Sequence, residues 1–251
     1  MLEQELAFAH EVADRAADIS MSYFLGEFEV QQKADLSPVT QVDLEVETAI
    51  REMVAERFPN DAVTGEEHGA GAGDRVWIVD PIDGTRNFAD GVPIWATLLA
   101  LQVDGRSVLG LISAPALAER YEAVRGAGAR WNGRELRVSE RKLDNAFMVY
   151  SSVDDWVDRA RHEPFMELAR EVRRTRGFGD FWGHMLVARG AADFMLEPAL
   201  RLWDWAPITV IVEEAGGRVT TFGGDQPSDG SSILSSNAVL HEDVVRRLSG
   251  T

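Results

Sequence analysis

The chain has 251 residues, 45% of them hydrophobic, which is enough to build one large folded unit or two small ones. Forty-two Asp and Glu against 25 Lys and Arg give a formal net charge of -17, which disfavours nucleic-acid binding and favours cations. The absence of cysteine excludes disulfides, thiolate metal sites and cysteine nucleophiles. No apolar run approaches the ~18 residues of a membrane span, and the N-terminus does not resemble a signal peptide, so we expect a soluble, cytoplasmic protein.

The N-terminal part of the chain shows two helical patterns. Apolar residues recur at helical spacing over residues 2–25 and again from Val42 to Val54, which predicts two amphipathic helices. The second helix should end at the breaker Pro59-Asn60. The polar stretch between Gly26 and Pro38 predicts a hairpin or loop.

The middle of the chain has the pattern of β-strands. Residues 76–79 are apolar throughout, as in a buried strand, and Asp104-Gly105 is a hairpin signal. In chain order, the predicted strands are 76–79, 98–103, 108–113, 120–124 and 146–150.

The second half alternates between helical and strand patterns. The predicted helices are 163–174, 180–190, 204–215 and 239–248, and the predicted strands are 192–196, 217–222 and 231–235. This order predicts an α+β half, residues 1–140, followed by an α/β half, residues 141–251, in one compact unit. The charged stretch Glu140-Arg141-Lys142 marks the boundary.

The most informative motif follows the first of these strands. An apolar run ends in two carboxylates, Asp80 and Asp83, with Pro81 between them and Gly84-Thr85 directly behind. Carboxylate oxygens suit Mg²⁺, and the backbone N–H groups of a turn or helix start suit phosphate. The motif therefore predicts a site for metal-assisted phosphate chemistry.

Four other pieces accompany this motif. They are Asp35 to Asp43, Gly65-Glu66-Glu67, Trp203 to Pro207 and Glu213 to Gly217. In this order and spacing, from about Asp35 to Gly217, the chain resembles the inositol monophosphatase family of Mg²⁺-dependent, lithium-sensitive phosphatases. The resemblance implies a layered αβαβα sandwich of the sugar-phosphatase type. Members are often dimers, so a homodimer is an open expectation.

The resemblance also implies a set of metal ligands. Glu66, Asp80 and the carbonyl oxygen of Ile82 would bind one ion, and Asp80, Asp83 and Asp204 would bind a second. Two or three Mg²⁺ ions are expected, with Mn²⁺ as an alternative. Carboxylates that converge in this way repel one another unless divalent cations neutralise them. Alternatively, Asp204 is simply a favourable charge at a helix N-terminus.

The family pattern further implies how phosphate and water are held. The N–H groups of Gly84 and Thr85 would bind phosphate, while Thr85, Asp43 and Glu66 would orient and activate the attacking water. We expect no phospho-enzyme intermediate. Asp43 also lies three residues after Thr40 at a helix start, so a capping box is an alternative that can hold at the same time.

Substrate choice depends on the residues around the leaving group. Gly179-Asp180-Phe181 resembles the histidinol-phosphate phosphatase branch, and Glu197 lies where the family carries an acidic residue that meets the substrate. Asp83, Asp180 and Glu197 are therefore the predicted substrate-binding residues, the last two pairing with the substrate's cation. Alternatively, Asp180 caps the following helix and Glu197 is a surface acid.

The expected activity is Mg²⁺-dependent hydrolysis of L-histidinol phosphate to L-histidinol and phosphate, a reaction of histidine biosynthesis. The first alternative is an inositol-1-monophosphatase, or a phosphatase for small polyol or sugar phosphates. A role in binding RNA or a transcription complex, which some family members have, is disfavoured by the -17 charge. The expected partner is thus a small phosphate monoester, with no nucleic acid and no membrane.

Overall fold

The structure is a computed structural model that describes residues 2–26, 30–32, 38–158 and 162–249, with the backbone alone for 30–32, 38, 39 and 158. Asp35 to Ser37, the start of the first motif piece, lie outside the described residues. Within the described part of the chain, no helix combines the length and the apolar character needed to cross a lipid bilayer.

Helices and strands alternate in the C-terminal part of the chain, whereas residues 96–150 form strands with no α-helix between them. The helices are α1 (Glu3–Tyr23), α2 (Gln41–Arg57), α3 (Thr85–Ala89), α4 (Val153–Asp158), α5 (His162–Glu171), α6 (Asp180–Ala188), α7 (Leu202–Glu214) and α8 (His241–Ser249). The strands up to residue 135 are β1 (Val30–Gln32), β2 (Pro38–Thr40), β3 (Ala62–Gly65), β4 (Arg75–Asp83), β5 (Ala96–Val103), β6 (Arg106–Ala114), β7 (Glu119–Val124), β8 (Ala129–Trp131) and β9 (Arg134–Glu135). The later strands are β10 (Phe147–Tyr150), β11 (Arg174–Gly177), β12 (Phe194–Glu197), β13 (Gly217–Thr220) and β14 (Ile233–Asn237).

A seven-stranded sheet contains β3 to β9 in sequence order. Only the β3–β4 pair is parallel, and the other pairs are antiparallel. Strands β4, β5 and β6 are nearly continuous apolar runs because both faces of the sheet are covered. Trp77 and Leu99 pack against α1 and α2 on one face, and Leu98 packs on the α6–α7 side.

The second sheet has five strands in the order β11-β10-β12-β14-β13. Strands β10, β11 and β12 are parallel, so their carboxyl ends meet at one edge, near Tyr150, Gly177 and Glu197. Ligands commonly bind outside the carboxyl ends of strands in such sheets. Strand β14 runs antiparallel to β12 and β13.

The hydrophobic clusters show how the layers stack. Helices α1 and α2 cover the outer face of the seven-stranded sheet, and α6 and α7 lie between the two sheets. Trp156, Phe165 and Val244 place α4, α5 and α8 on the outer face of the five-stranded sheet. The order of layers is therefore αβαβα, which confirms the predicted fold class.

The predicted helices and the longer strands are all present, with ends displaced by a few residues. A hairpin or loop was predicted between Gly26 and Pro38, and β1 and β2 pair antiparallel there, although most of that stretch lies outside the described residues. Short elements were missed, namely β3, β8, β9, β11 and α4. The division at residue 140 stays a prediction.

Candidate active site

The two carboxylates of the central motif lie on an irregular part of β4. Asp80 is opposite Leu98 and Asp83 is opposite Ala96, so β4 carries one residue more than β5 between these pairs. The hydroxyl of Thr97 donates a hydrogen bond of 2.8 Å to the carbonyl of Pro81 within this bulge. A bulge changes the direction of side chains, and here it brings both carboxylates to the same side.

Gly84 forms the turn from β4 into α3. Its φ of 84° lies in the left-handed region, and a Cβ at this position would lie 3.0 Å from the carbonyl oxygen of Ile94. Glycine is therefore required here for both reasons. The turn places Gly84 and Thr85 at the start of α3, directly after Asp83 in the sequence.

Three carboxylates converge at this point. Asp80, Asp83 and Asp204 each place an oxygen within 4.8 Å of the other two. Asp80 Oδ1 is buried and has no hydrogen-bond partner among the described residues. Burial, followed by the charge of Glu66, raises the pKa of Asp80 well above its usual range, and burial, followed by Asp180, does the same for Asp83.

Asp204 reaches this cluster from the first turn of α7. Its Oδ2 accepts a hydrogen bond of 2.8 Å from the N–H of Arg201, so the helix-end interpretation of Asp204 holds, and its role as a metal ligand stays a prediction. Burial raises the pKa of Asp204 to about 7. Asp83 Oδ2 accepts a hydrogen bond of 2.7 Å from the N–H of Phe181, which ties the start of α6 to the same cluster.

Glu66 and the Asp43–Thr85 pair lie at the side of the carboxylates. The N–H of Glu66 bonds to the carbonyl of Val79, next to Asp80, at 3.3 Å. The hydroxyl of Thr85 lies 3.4 Å from Asp43 Oδ1 and 2.9 Å from the carbonyl oxygen of Ile82. Burial raises the pKa of Asp43 to about 6, a value suited to a proton acceptor near neutral pH.

These residues fit a site for divalent cations. A buried carboxylate oxygen without a partner among the described residues, next to two further carboxylates, is costly without a positive charge. The donors are all oxygen atoms, which Mg²⁺ prefers to nitrogen or sulfur.

A cavity of about 460 Å³ opens beside this cluster. Glu66, Gly84 and Thr85 line one part of it, and Asp180 and Glu197 line another. The second part lies at the carboxyl ends of β10, β11 and β12. The structure therefore brings Gly84, Thr85, Asp180 and Glu197 to one cavity, whereas Asp83, the third predicted substrate-binding residue, does not line it.

Asp180 does not cap α6. Gly179 is the N-cap residue, and the side chain that accepts a hydrogen bond from the first turn is that of Asp83, which bonds to the N–H of Phe181. Instead, Asp180 Oδ2 accepts a hydrogen bond of 2.9 Å from Asn87 Nδ2, on α3. Burial raises the pKa of Asp180 to about 6. The capping alternative is wrong, and the carboxylate belongs to the cavity wall.

Glu197 is buried, so the surface-acid alternative is also wrong. Burial raises its pKa well above the usual range. Glu197 Oε2 lies 3.3 Å from His184 Nε2, and His184 Nδ1 lies 2.7 Å from Ser235 Oγ. Since His184 is fully buried, its pKa falls to about 3, and it is a neutral hydrogen-bonding residue.

Sequence reasoning missed several residues of this region. Asn87 lies two residues after Thr85 and was given no role, although its side chain joins α3 to Asp180. Asp155 and Ser151 line the cavity from the region after β10, where no motif pointed to them. Glu213, at the start of the last motif piece, was also given no role, and it pairs with Arg125.

Comparisons with known proteins show which proteins this chain is similar to. The sequence profile of the inositol monophosphatase family matches residues 1–250. A histidinol-phosphatase of Streptomyces coelicolor is 42% identical over 96% of this chain and 95% of its own length. A histidinol-phosphatase of Mycobacterium tuberculosis is 40% identical over 99% of both chains. The solved structure of a Thermotoga maritima IMPase superposes with a TM-score of 0.90, at 31% identity, over 98% of this chain and 97% of that one.

Proposed function

Because this chain belongs to the inositol monophosphatase family, we propose that it is a Mg²⁺-dependent phosphomonoesterase that hydrolyses L-histidinol phosphate to L-histidinol and phosphate. The observation that supports the reaction class is the convergence of Asp80, Asp83 and Asp204 beside the Gly84 turn. The near-full-length similarity to proteins named histidinol-phosphatase supports the substrate.

The carboxylates around Asp80 would hold two ions. Glu66 and the carbonyl of Ile82 would complete one ion's ligands, and Asp83 and Asp204 the other's; a third ion, and Mn²⁺ in place of Mg²⁺, are alternatives. When bound, the ions supply Lewis-acid activation of water and neutralise charge on the phosphate.

The remaining chemistry belongs to the turn and to α2. The N–H groups of Gly84 and Thr85 would hold the phosphate oxygens. The Thr85 hydroxyl, backed by Asp43, would orient the attacking water and pass on its proton, with Glu66 beside them. A pKa of about 6 keeps Asp43 ionised, and so able to accept that proton, at neutral pH.

The acidic end of the cavity suits a cationic leaving group. L-Histidinol phosphate carries an ammonium and an imidazole beyond the ester, and Asp180 and Glu197 line the cavity where that part would lie. An inositol ring offers only hydroxyl groups, so buried carboxylates gain less from it. A charged hydrogen bond contributes about 1.5–3 kcal/mol, which corresponds to a preference of about ten- to a hundredfold.

A side-by-side assay tests this proposal. Purified protein with Mg²⁺ is given L-histidinol phosphate and myo-inositol 1-phosphate, and kcat/KM is measured for each. We expect at least about a tenfold preference for L-histidinol phosphate. Equal or better turnover of the inositol ester would instead support the polyol phosphatase alternative.

The same preference should depend on Asp180. We expect Asp180→Asn to lower kcat/KM for L-histidinol phosphate about tenfold and to leave that for an uncharged ester within about twofold. An unchanged ratio between the two substrates would contradict the pairing with the cation. The homodimer, the cytoplasmic location and the absence of nucleic-acid binding stay predictions.

A further inference from the structure

Helix α2 carries a second buried carboxylate one turn after Asp43. Asp43 and Glu47 are four residues apart, so they lie on the same helix face. The side chain of Glu47 is fully buried, which is rare for an ionisable group unless it has several partners. The water-activating role proposed for Asp43 does not use Glu47.

The partners of Glu47 are the backbone of the turn that carries Glu66. Glu47 Oε2 accepts a hydrogen bond of 2.7 Å from the N–H of Glu67, and Oε1 accepts one of 3.1 Å from the N–H of His68. The ring of His68 lies 3.4 Å from the same carboxylate. The contacts span about twenty residues of sequence, so they fix the turn relative to the helix.

Arg51 completes this arrangement from the next turn of α2. Its Nε donates to Glu47 Oε1 at 2.8 Å, which balances the buried charge. Its two other nitrogens donate to the carbonyl oxygens of Val63, at 3.2 Å, and Gly69, at 2.8 Å. Arg51 therefore bonds to the chain on both sides of the turn.

The fit between Glu47 and the turn leaves no space. A Cβ added to Gly65 would lie 2.2 Å from Glu47 Oε1, well inside contact distance. Gly65 also pairs with Val79 of β4, next to Asp80, and immediately precedes Glu66. A displacement of this turn would therefore move Glu66 relative to Asp80.

We propose that Glu47 is a positioning residue for the metal site, because its carboxylate holds the turn of residues 65–69 in the conformation that directs Glu66 towards Asp80. This inference rests on the proposed function, in which Glu66 and Asp80 bind Mg²⁺. Side chains that orient metal ligands typically contribute ten- to a hundredfold to metal affinity. In this proposal α2 positions Glu66 through Glu47, and it also carries Asp43 of the water-activating Asp43–Thr85 pair.

The test compares Glu47→Gln with Glu52→Gln, an exposed position on the same helix. Mg²⁺ binding to the metal-free proteins is measured by calorimetry, and thermal unfolding is measured without metal. We expect Glu47→Gln to bind Mg²⁺ at least about tenfold more weakly while it remains folded, and Glu52→Gln to match the wild type. A purely structural role for Glu47 would lower the unfolding temperature and leave the affinity of the folded protein unchanged.

A second pair of variants tests the close contact itself. Gly65→Ala should weaken Mg²⁺ binding in the wild-type background and lower the unfolding temperature. In a Glu47→Ala background, the same change should have a smaller effect on stability, because the clash is removed. Additive effects in this cycle would overturn the steric part of the inference.

The outcomes also separate this inference from the proposed function. If the wild-type protein binds no Mg²⁺, the proposed metal site fails, and the role of Glu47 fails with it. If the wild type binds Mg²⁺ and Glu47→Gln binds it equally well, only the role of Glu47 is overturned.

Discussion

Asp43 has two carboxylate oxygens, and each has its own partners. Oδ2 accepts hydrogen bonds from the N–H of Thr40 at 2.8 Å and from its hydroxyl at 2.5 Å, which caps α2. Oδ1 faces the hydroxyl of Thr85. The capping and the catalytic interpretations of Asp43 are therefore compatible, since the helix cap fixes the carboxylate that meets Thr85.

Replacing Thr85 tests the water-activating pair. Thr85→Ala removes the hydroxyl and keeps the backbone N–H, so we expect kcat to fall by about a hundredfold, with a smaller change in KM. Steady-state kinetics on L-histidinol phosphate measures both constants. Thr48→Ala, which alters an exposed hydroxyl on α2, is the matched control. A loss confined to KM would indicate that the hydroxyl only binds substrate.

Asp204 makes the stability of the metal-free protein depend on pH. Its folded pKa of about 7 lies above the usual 3.8, so the folded state favours the protonated carboxyl. The stability that this protonation gives the folded protein is complete below about pH 3.8 and is lost as the pH rises through 7. Without metal, Asp204→Asn should therefore gain several degrees of Tm over the wild type between about pH 5 and pH 8. With saturating Mg²⁺ the order should reverse, because the variant lacks a ligand. Calorimetric scans at several pH values measure both effects.

Residues of the contiguous motifs were predictable, while their supporting side chains were not. Asp80, Asp83 and Thr85 are marked by their neighbours in the sequence. Glu47 reads as one more acid on a charged helix, and only the folded chain shows that it contacts the N–H of Glu67, twenty residues away. A single sequence has no signal for such a contact.

At the scale of elements, predictability followed the strength of the apolar pattern. Strands β4, β5 and β6 are long and buried, and all three were expected. Strand β11 consists of Arg174, Thr175, Arg176 and Gly177 at the edge of its sheet, so it has no apolar alternation. It is a strand because it pairs with β10, and the apolar and polar pattern of its own four residues cannot predict that pairing.

Helix α7 and strand β6 approach each other closely, at Gly110. A Cβ at Gly110 would lie 2.6 Å from the carbonyl oxygen of Pro207, on the helix that carries Asp204. Gly110→Ala should therefore cost about 1–3 kcal/mol of stability. It should also weaken Mg²⁺ binding, because α7 must move away from the sheet.

Gly73→Ala is the control for this change, since its added Cβ would have no neighbour closer than 3.6 Å. Chemical denaturation gives the free energies of unfolding, and calorimetry gives the Mg²⁺ affinity. Wild-type stability in Gly110→Ala would show that α7 does not pack as described.

At the scale of the whole molecule, the net charge of -17 is a field that attracts cations. Salt screens such fields, since the Debye length falls from about 30 Å at 0.01 M to about 8 Å at 0.15 M ionic strength. We therefore expect the Mg²⁺ affinity to fall severalfold over this range. Titration calorimetry in tetramethylammonium chloride measures this without a competing small cation, and a neutral osmolyte is the control. An affinity independent of salt would mean that the carboxylates of the site determine Mg²⁺ binding and that the net charge of the whole protein does not contribute.

The overall layering was foreseeable, but the sheet order was not. The alternation of helical and strand patterns after residue 140 predicted a sheet with helices packed on it, and the strands of this region do form one five-stranded sheet. Its order β11-β10-β12-β14-β13 depends on which strands meet in space. The antiparallel β14 between β12 and β13 has no signature in the sequence.

Helix α7 connects two distant parts of the protein. Its 13 residues extend about 20 Å, with Asp204 in the first turn and Glu214 as the last residue, which accepts hydrogen bonds from the N–H groups of Gly126 and Gly128. The tip of the β7–β8 hairpin thus holds the far end of the helix whose first turn carries Asp204, a proposed metal ligand. A substitution in that hairpin would shift α7 and move Asp204 with it. The altered protein would bind Mg²⁺ as weakly as a variant of a metal ligand, although all residues of the site were intact.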